Sequence, residues 1–181
     1  MIFADYRKRE CNICFVEDRR DKADMIDFAS MSPSFLSALA TTPFLTGLNE
    51  QALALLAQEG TVRDFSSAEI IVREGSEGHA FFIIVEGDVE IIKYLDSPHA
   101  VTLAKLHTGT FFGEMCVVDP VPRAATVRAI SKVTVIEIKA ATLHHLFQKM
   151  PDQYAIMILN LARDLSRRLR SLDEAFAAKA S

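Results

Sequence analysis

Cysteine is scarce in this chain of 181 residues, which carries only Cys11, Cys14 and Cys116. An odd, low count excludes a fully paired disulfide framework and fits a reducing compartment. Cys11 and Cys14 have the C-x2-C spacing of half a zinc site, but no second pair follows, so they read as ordinary thiols. A basic excess is missing as well: 20 Lys and Arg stand against 24 Asp and Glu, for a formal charge of -4 and a pI near 5.7. Phosphate-backbone binding needs a concentrated basic surface, so nucleic acid is not an expected partner and any bound anion must be held locally. Long apolar runs are absent too. The N-terminal "MIFADYRKRECNICFVEDRRDK" is charged throughout, unlike a signal peptide, and no stretch is long enough to span a bilayer. A soluble, cytoplasmic protein without a membrane partner is expected. No nucleophile–base pair, metal cluster or Walker-type loop is visible, so the expectation is no enzyme, no catalytic residues, no metal and no cofactor.

What is present is a core, because half of the residues are apolar. That suffices for one domain with flanking helices. Residues 1–40 read as a charged N-terminal helical extension, with short helical patterns in "KADMIDFA" and "PSFLSALA". Residues 41–181 read as the domain itself. "TGLNEQALALLAQEG" predicts a helix capped by Asn49, with Leu53, Leu56 and neighbouring alanines on its apolar face, and ended by Gly60. From Thr61 to Lys139 the chain divides into eight β-rich runs: "TVRDF", "EIIVRE", "AFFIIVEG", "DVEIIKYL", "AVTLAKL", "TFF", "ATVRAI" and "KVTVIEIK". Eight such runs predict a barrel or jelly roll. Gly75, Gly78, Gly87 and Gly109 fall between runs, where a positive φ closes a turn. Helical signals return in "TLHHLFQKM" and in the long segment after Pro151. The fold class is therefore α+β, with an eight-stranded jelly roll between N-terminal helices and a long C-terminal helix.

The chemistry concentrates in "FFGEMCVVDPVPRAATV", where Glu114 and Arg123 stand nine positions apart among Gly113, Cys116, Ala124 and Ala125. Ionised Glu114 only accepts hydrogen bonds, and Arg123 only donates them through a planar fork that can grip two phosphate oxygens. A bare salt bridge between the two does not call for small neighbours, whereas a ligand approaching the backbone does. A ligand bearing hydroxyls for Glu114 and a phosphate for Arg123 is a nucleotide. "GEMCVV" can form one helical turn, and backbone amides of Cys116, Ala124 and Ala125 can complete an anion cradle.

These residues resemble the phosphate-binding cassette of the cyclic nucleotide-binding domain family: F-G-E, a hydrophobic and a small residue, then P-R-A-A-T. The resemblance extends over residues 43–175, with "PFLTGLNEQALALLA" similar to the family's entry helices. "VREGSEGHAFFIIVEGDVEI" is similar to its G-x5-F-Y-I-I-x2-G-x-V-x-V pattern. It implies that Glu114 takes the ribose 2'-hydroxyl and Arg123 the cyclic phosphate, with the backbones of Gly113, Met115, Cys116, Ala124 and Ala125 lining the cassette. Two departures are mild: "SSAE" stands where a glycine often precedes Glu69, and Cys116 replaces the commoner alanine. In cGMP-selective members a threonine often follows the cassette arginine; here that position is Ala124. The implied ligand is cAMP, with cGMP possible.

In the last helix Ile158, Ala162, Leu165, Leu169, Leu172 and Phe176 recur at heptad spacing. In related dimeric regulators this helix forms both a two-fold coiled coil and a lid over the base. The stripe can equally pack on its own barrel; the resemblance implies a homodimer joined along residues 158–176, with Leu165, Arg168 and Leu169 near the purine. The arginines of "RDLSRRLR" otherwise read as a solvated face, the adjacent His144 and His145 as ordinary helix residues, and His79, His99 and His107 as dispersed. The main expectation is a stand-alone receptor signalling to an unidentified effector protein. The alternatives are a cGMP-binding or ligand-free interaction module, and a relative of transcription regulators lacking its DNA-binding domain.

Overall fold

The protein is described by a computed structural model, over residues 38–39, 41–115, 119 and 121–180. The two N-terminal helical patterns, Cys11, Cys14 and Cys116 lie outside the described residues, apart from Ala38 and Leu39. A 3-10 turn, Pro43–Leu45, leads into helix α1, Glu50–Glu59. Eight strands follow: β1 (Thr61–Phe65), β2 (Ile70–Val72), β3 (Ala80–Glu86), β4 (Asp88–Lys93), β5 (Val101–His107), β6 (Phe111–Phe112), β7 (Thr126–Ala129) and β8 (Val133–Lys139). Helices α2 (Ala140–Lys149) and α3 (Pro151–Ala180) end the described chain. Seven of the eight sequence runs contain their strand, and β5 extends one residue past its run, to His107.

The strands form two four-stranded sheets, β1-β8-β3-β6 and β2-β7-β4-β5, with all pairs antiparallel. This is a jelly roll. At its centre, along β3 and β8, the first sheet is covered and apolar on both faces, and the side-chain alternation of a strand divides its residues between two cores. Phe82, Ile84, Phe112, Val133 and Val135 point between the sheets with Val89 and Val127. Phe81, Ile83, Phe111, Ile136 and Ile138 point outward, onto Leu39, Phe44, Leu56, Leu146, Met157 and Leu161 of the helical layer. Two adjacent phenylalanines in β6 thus anchor both cores immediately before Gly113 and Glu114.

The helical layer is tied down at its polar ends. Asn49 Oδ1 accepts from Ala52 N–H at 2.9 Å, as the sequence predicts, and Asn49 N–H donates across to Gln153 Oε1 of α3 at 2.8 Å. Helix α1 buries Leu55 along with Ala52, Leu56 and Ala57, while Leu53 is half-buried. Gly60 ends the helix with an ordinary φ of -75°, so its role is room. A Cβ there would stand 2.9 Å from Ile136 Cγ2 and Leu56 O. His145 Nδ1 pairs with Glu59, joining α2 to α1.

Phe44 locks the entry turn onto the sheet, lying edge-on to Phe81 at 5.0 Å and tilted on Phe111 at 4.7 Å between ring centroids. Truncation of such a buried ring leaves a cavity under the site. Phe44→Ala is expected to lower unfolding stability by about 3–5 kcal/mol in urea titration, whereas a loss under about 1 kcal/mol would contradict this packing.

Candidate functional site

Glu114 and Arg123 do not pair with each other. Both are nearly buried, at 5% and 7% exposure. Arg123 Nη1 donates to Gly113 O at 3.0 Å and Nη2 to Ala80 O at 2.8 Å, and its guanidinium carbon lies 5.6 Å from the Phe82 ring centre. Two of its five N–H donors are spent on neutral carbonyls, and no carboxylate among the described residues pairs with it. A buried cation without a counter-charge is costly, and an anion that arrives beside it relieves that cost.

The sequence shapes this seat at two glycines. A Cβ on Gly78 would meet Arg123 Nε at 2.5 Å, so Gly78 leaves space for the guanidinium; its backbone lacks the positive φ expected of it. Gly113 answers to both constraints, with a φ of +83° and a would-be Cβ only 2.5 Å from Arg123 Nη1. The arginine's backbone is fixed as well. Arg123 N–H donates to Ser76 O, and its carbonyl accepts from Gly75 N–H, both at 2.9 Å.

Glu114 is held from the other side. Arg168 Nη1 of α3 donates to Glu114 Oε1 at 2.9 Å. The Arg168 guanidinium carbon sits 5.1 Å from the Phe111 ring centre, and Nε lies 2.7 Å from Asp164 Oδ2 one turn earlier. That last contact is a charge contact without hydrogen-bond alignment, since Asp164 Oδ2 is buried and accepts no well-directed hydrogen bond. The "RDLSRRLR" face is therefore divided: Arg163, Arg167 and Arg170 are exposed, as a solvated face requires, and Arg168 turns inward to the cassette acid.

Asp119 N–H donates to Met115 O at 2.9 Å, and the Met115 side chain is exposed. Cys116 lies outside the described residues. Ala124 is exposed and Ala125 half-buried, and Ala124 O accepts from Lys93 Nζ at 2.7 Å. Lys93 also meets Glu74 Oε1 at 2.7 Å. Hydrogen bonds from Lys93 and from Tyr94 N–H hold the Glu74 carboxyl below the usual carboxylate range, against a smaller opposing effect of burial. Neither Lys93 nor Glu74 was singled out from sequence; the only signal is their placement at the ends of runs that flank the cassette.

The C-terminal stripe splits in two. Ile158 and Leu165 pack against the helical core, Ala162 is exposed, and Leu169, Leu172 and Phe176 are 60%, 67% and 79% exposed. Of the three residues expected over a base, Leu165 thus serves the core, Arg168 reaches the cassette acid, and Leu169 faces outward. No helix among the described residues is long and apolar enough to cross a membrane.

Known proteins share this architecture and sequence. Over 105 residues the chain is 32% identical to a cAMP-dependent protein kinase regulatory subunit of Mycosarcoma maydis, covering 58% of this chain and 20% of that protein. The chain thus spans about a fifth of that subunit's length. Among solved structures, a cyclic nucleotide-binding domain from Methylobacillus flagellatus superposes with a TM-score of 0.70 at 20% identity, covering 80% of this chain and 84% of that one. Thermus thermophilus catabolite activator protein superposes with a TM-score of 0.66 at 25% identity, covering 76% and 63%. Residues 62–150 match the family described as the cyclic nucleotide-binding domain, and this stretch of the chain, carrying Glu114 and Arg123, is such a domain.

Proposed function

We propose that this chain is a cyclic nucleotide receptor, with cAMP as its ligand, that signals to a protein partner by moving α3. The observation that carries the reading is Arg123, buried without a counter-charge among the described residues and braced by two carbonyls. In this reading it takes the cyclic phosphate. Glu114 takes the ribose 2'-hydroxyl, and the backbones of Gly113, Met115, Cys116, Ala124 and Ala125 close the cassette. The matched kinase subunit, named for cAMP dependence, supports the ligand class. Ala124 offers no hydroxyl to guanine, which favours cAMP at least equally over cGMP. The buried, unpaired guanidinium weighs against a ligand-free interaction module. A receptor of this kind acts by binding, in the cytoplasm, without catalysis, metal or cofactor.

Arg168 supplies the route from site to helix. A ligand can shift a conformational balance only through contacts that differ between states. Glu114 Oε1 is occupied by α3 in this structure, and a ribose hydroxyl seeks the same carboxylate. Binding therefore changes what holds Arg168, and with it the position of the helix that carries the exposed Leu169, Leu172 and Phe176. In this reading that stripe joins two copies in a homodimer, and the effector protein is sensitive to its geometry.

Titration calorimetry with cAMP and cGMP tests the site. Arg123→Ala and Glu114→Ala each remove a charge-assisted hydrogen bond of about 1.5–3 kcal/mol, so affinity is expected to fall about tenfold to more than a hundredfold. Arg168→Met, which meets the ligand only through Glu114, is expected to keep affinity within about tenfold. Wild-type affinity in either cassette variant contradicts the assignment, and a clear cGMP preference contradicts the base reading.

Light scattering tests the seam. The expected mass is that of a dimer at tens of micromolar, and that of a monomer for Leu169→Glu, Leu172→Glu, whose side chains are exposed and leave the core intact. A wild-type monomer, with and without cAMP, contradicts the dimer.

A further inference from the structure

The backbone that follows Arg123 is pinned by a pair that lies outside the cassette. Lys93, at the end of β4, places Nζ 2.7 Å from Ala124 O and 2.7 Å from Glu74 Oε1. Glu74 is itself fixed at two further points. Its Oε2 accepts from Tyr94 N–H at 2.8 Å, and its own N–H donates to Thr126 Oγ1, a buried hydroxyl, at 3.0 Å. The lysine thus bridges three pieces of chain: the end of β2, the end of β4 and the strand entry after the cassette.

This bridge constrains one peptide plane. In a planar trans peptide the carbonyl of one residue and the N–H of the next point in opposite directions, and the described chain has no cis peptide. Holding Ala124 O on Lys93 therefore turns Ala125 N–H away from the Lys93–Glu74 pair. The two residues on either side of this bond differ from Arg123 in one respect. Arg123 has both backbone groups bonded within the protein, whereas neither Ala124 N–H nor Ala125 N–H donates to a protein acceptor among the described residues. A half-buried amide such as that of Ala125 is rarely left without a partner, and such an amide near a guanidinium that has no carboxylate partner among the described residues suits an anion.

We propose that Lys93, held in place by Glu74, is a positioning residue that sets the Ala124–Ala125 peptide so that Ala125 N–H donates to the phosphate bound by Arg123. The inference rests on the cyclic nucleotide reading and deepens it. Lys93 does not grip the ligand: two of its three N–H donors are taken by Ala124 O and Glu74. Its effect reaches the phosphate through one amide, and so through one exocyclic oxygen. That stereochemical signature separates it from a lysine that merely adds positive charge or stability.

The experiment measures binding of cAMP and of its two phosphorothioate diastereomers, each with sulfur in place of one exocyclic oxygen. Wild type, Lys93→Met, Glu74→Gln and Lys93→Arg are compared, with thermal melting of each free variant as the check on folding. Lys93→Met is expected to weaken cAMP binding about fivefold to tenfold and Glu74→Gln about twofold to fivefold, as misplacing one amide donor would, while Lys93→Arg stays within about threefold. In wild type one diastereomer carries the larger sulfur penalty. That penalty is expected to shrink in Lys93→Met while the other stays unchanged. Two outcomes overturn the proposal: a Lys93→Met affinity within twofold of wild type, or an equal loss for cAMP and both diastereomers. A wild type that binds no cyclic nucleotide overturns the receptor reading and this inference with it; a binding wild type with an indifferent Lys93→Met overturns this inference alone.

Discussion

An arginine buried beside neutral carbonyls is the constraint on which the site depends. Arg123 donates hydrogen bonds to Gly113 O and Ala80 O but meets no opposite charge among the described residues, and the surrounding sequence is shaped to tolerate it. Gly78 and Gly113 leave out the side chains that would occupy its space. Phe82 offers a ring face to the cation, and Ser76 O and Gly75 N–H fix the arginine's backbone. Each of these is a compensation for desolvating a charge. Together they hold a cationic fork ready, so that little reorganisation is needed when an anion arrives.

The cassette acid faces a different task. Glu114 is as buried as Arg123, yet its charge is met by a residue 54 positions away on α3. The two charged side chains are thus wired differently: Arg123 is held within the barrel, and Glu114 is shared with the helix. Phe111 sits where these meet, packed on Phe44 of the entry turn and lying under Arg168. A change at Glu114 reaches both the helix and the packing layer below it.

Much of this was legible in the sequence. Alternation of apolar residues and turn residues placed all eight strands, because a sheet buried on both faces writes long apolar runs such as "AFFIIV". Asn49 marked its helix, and the charge chemistry of Glu114 and Arg123 located the cassette. Pattern reasoning assigned Gly78 a turn conformation, when the arginine's need for room decides that position. Neither the charge pattern, which read this stretch as a solvated face, nor the resemblance, which put Arg168 near the purine, pointed to its pairing with Glu114, because that partner is remote in sequence and meets it only when α3 folds back. Lys93 was invisible for the same reason: a lysine at a strand end looks solvated until the Ala124 carbonyl is brought to it. Leu39, just before the boundary expected at residue 40, is fully buried in the helical core.

The central claim is that one ligand occupies Arg123 and competes with Arg168 for Glu114, so that site and helix respond together. Amide hydrogen exchange on the wild-type protein, followed by residue with and without cAMP, tests it most directly. The account predicts slower exchange in the cassette segments 113–115 and 123–125, accompanied by a change in exchange along α3 from about residue 164 onward. Protection of the cassette with α3 unchanged would contradict the coupling, and no change in either segment would contradict the site.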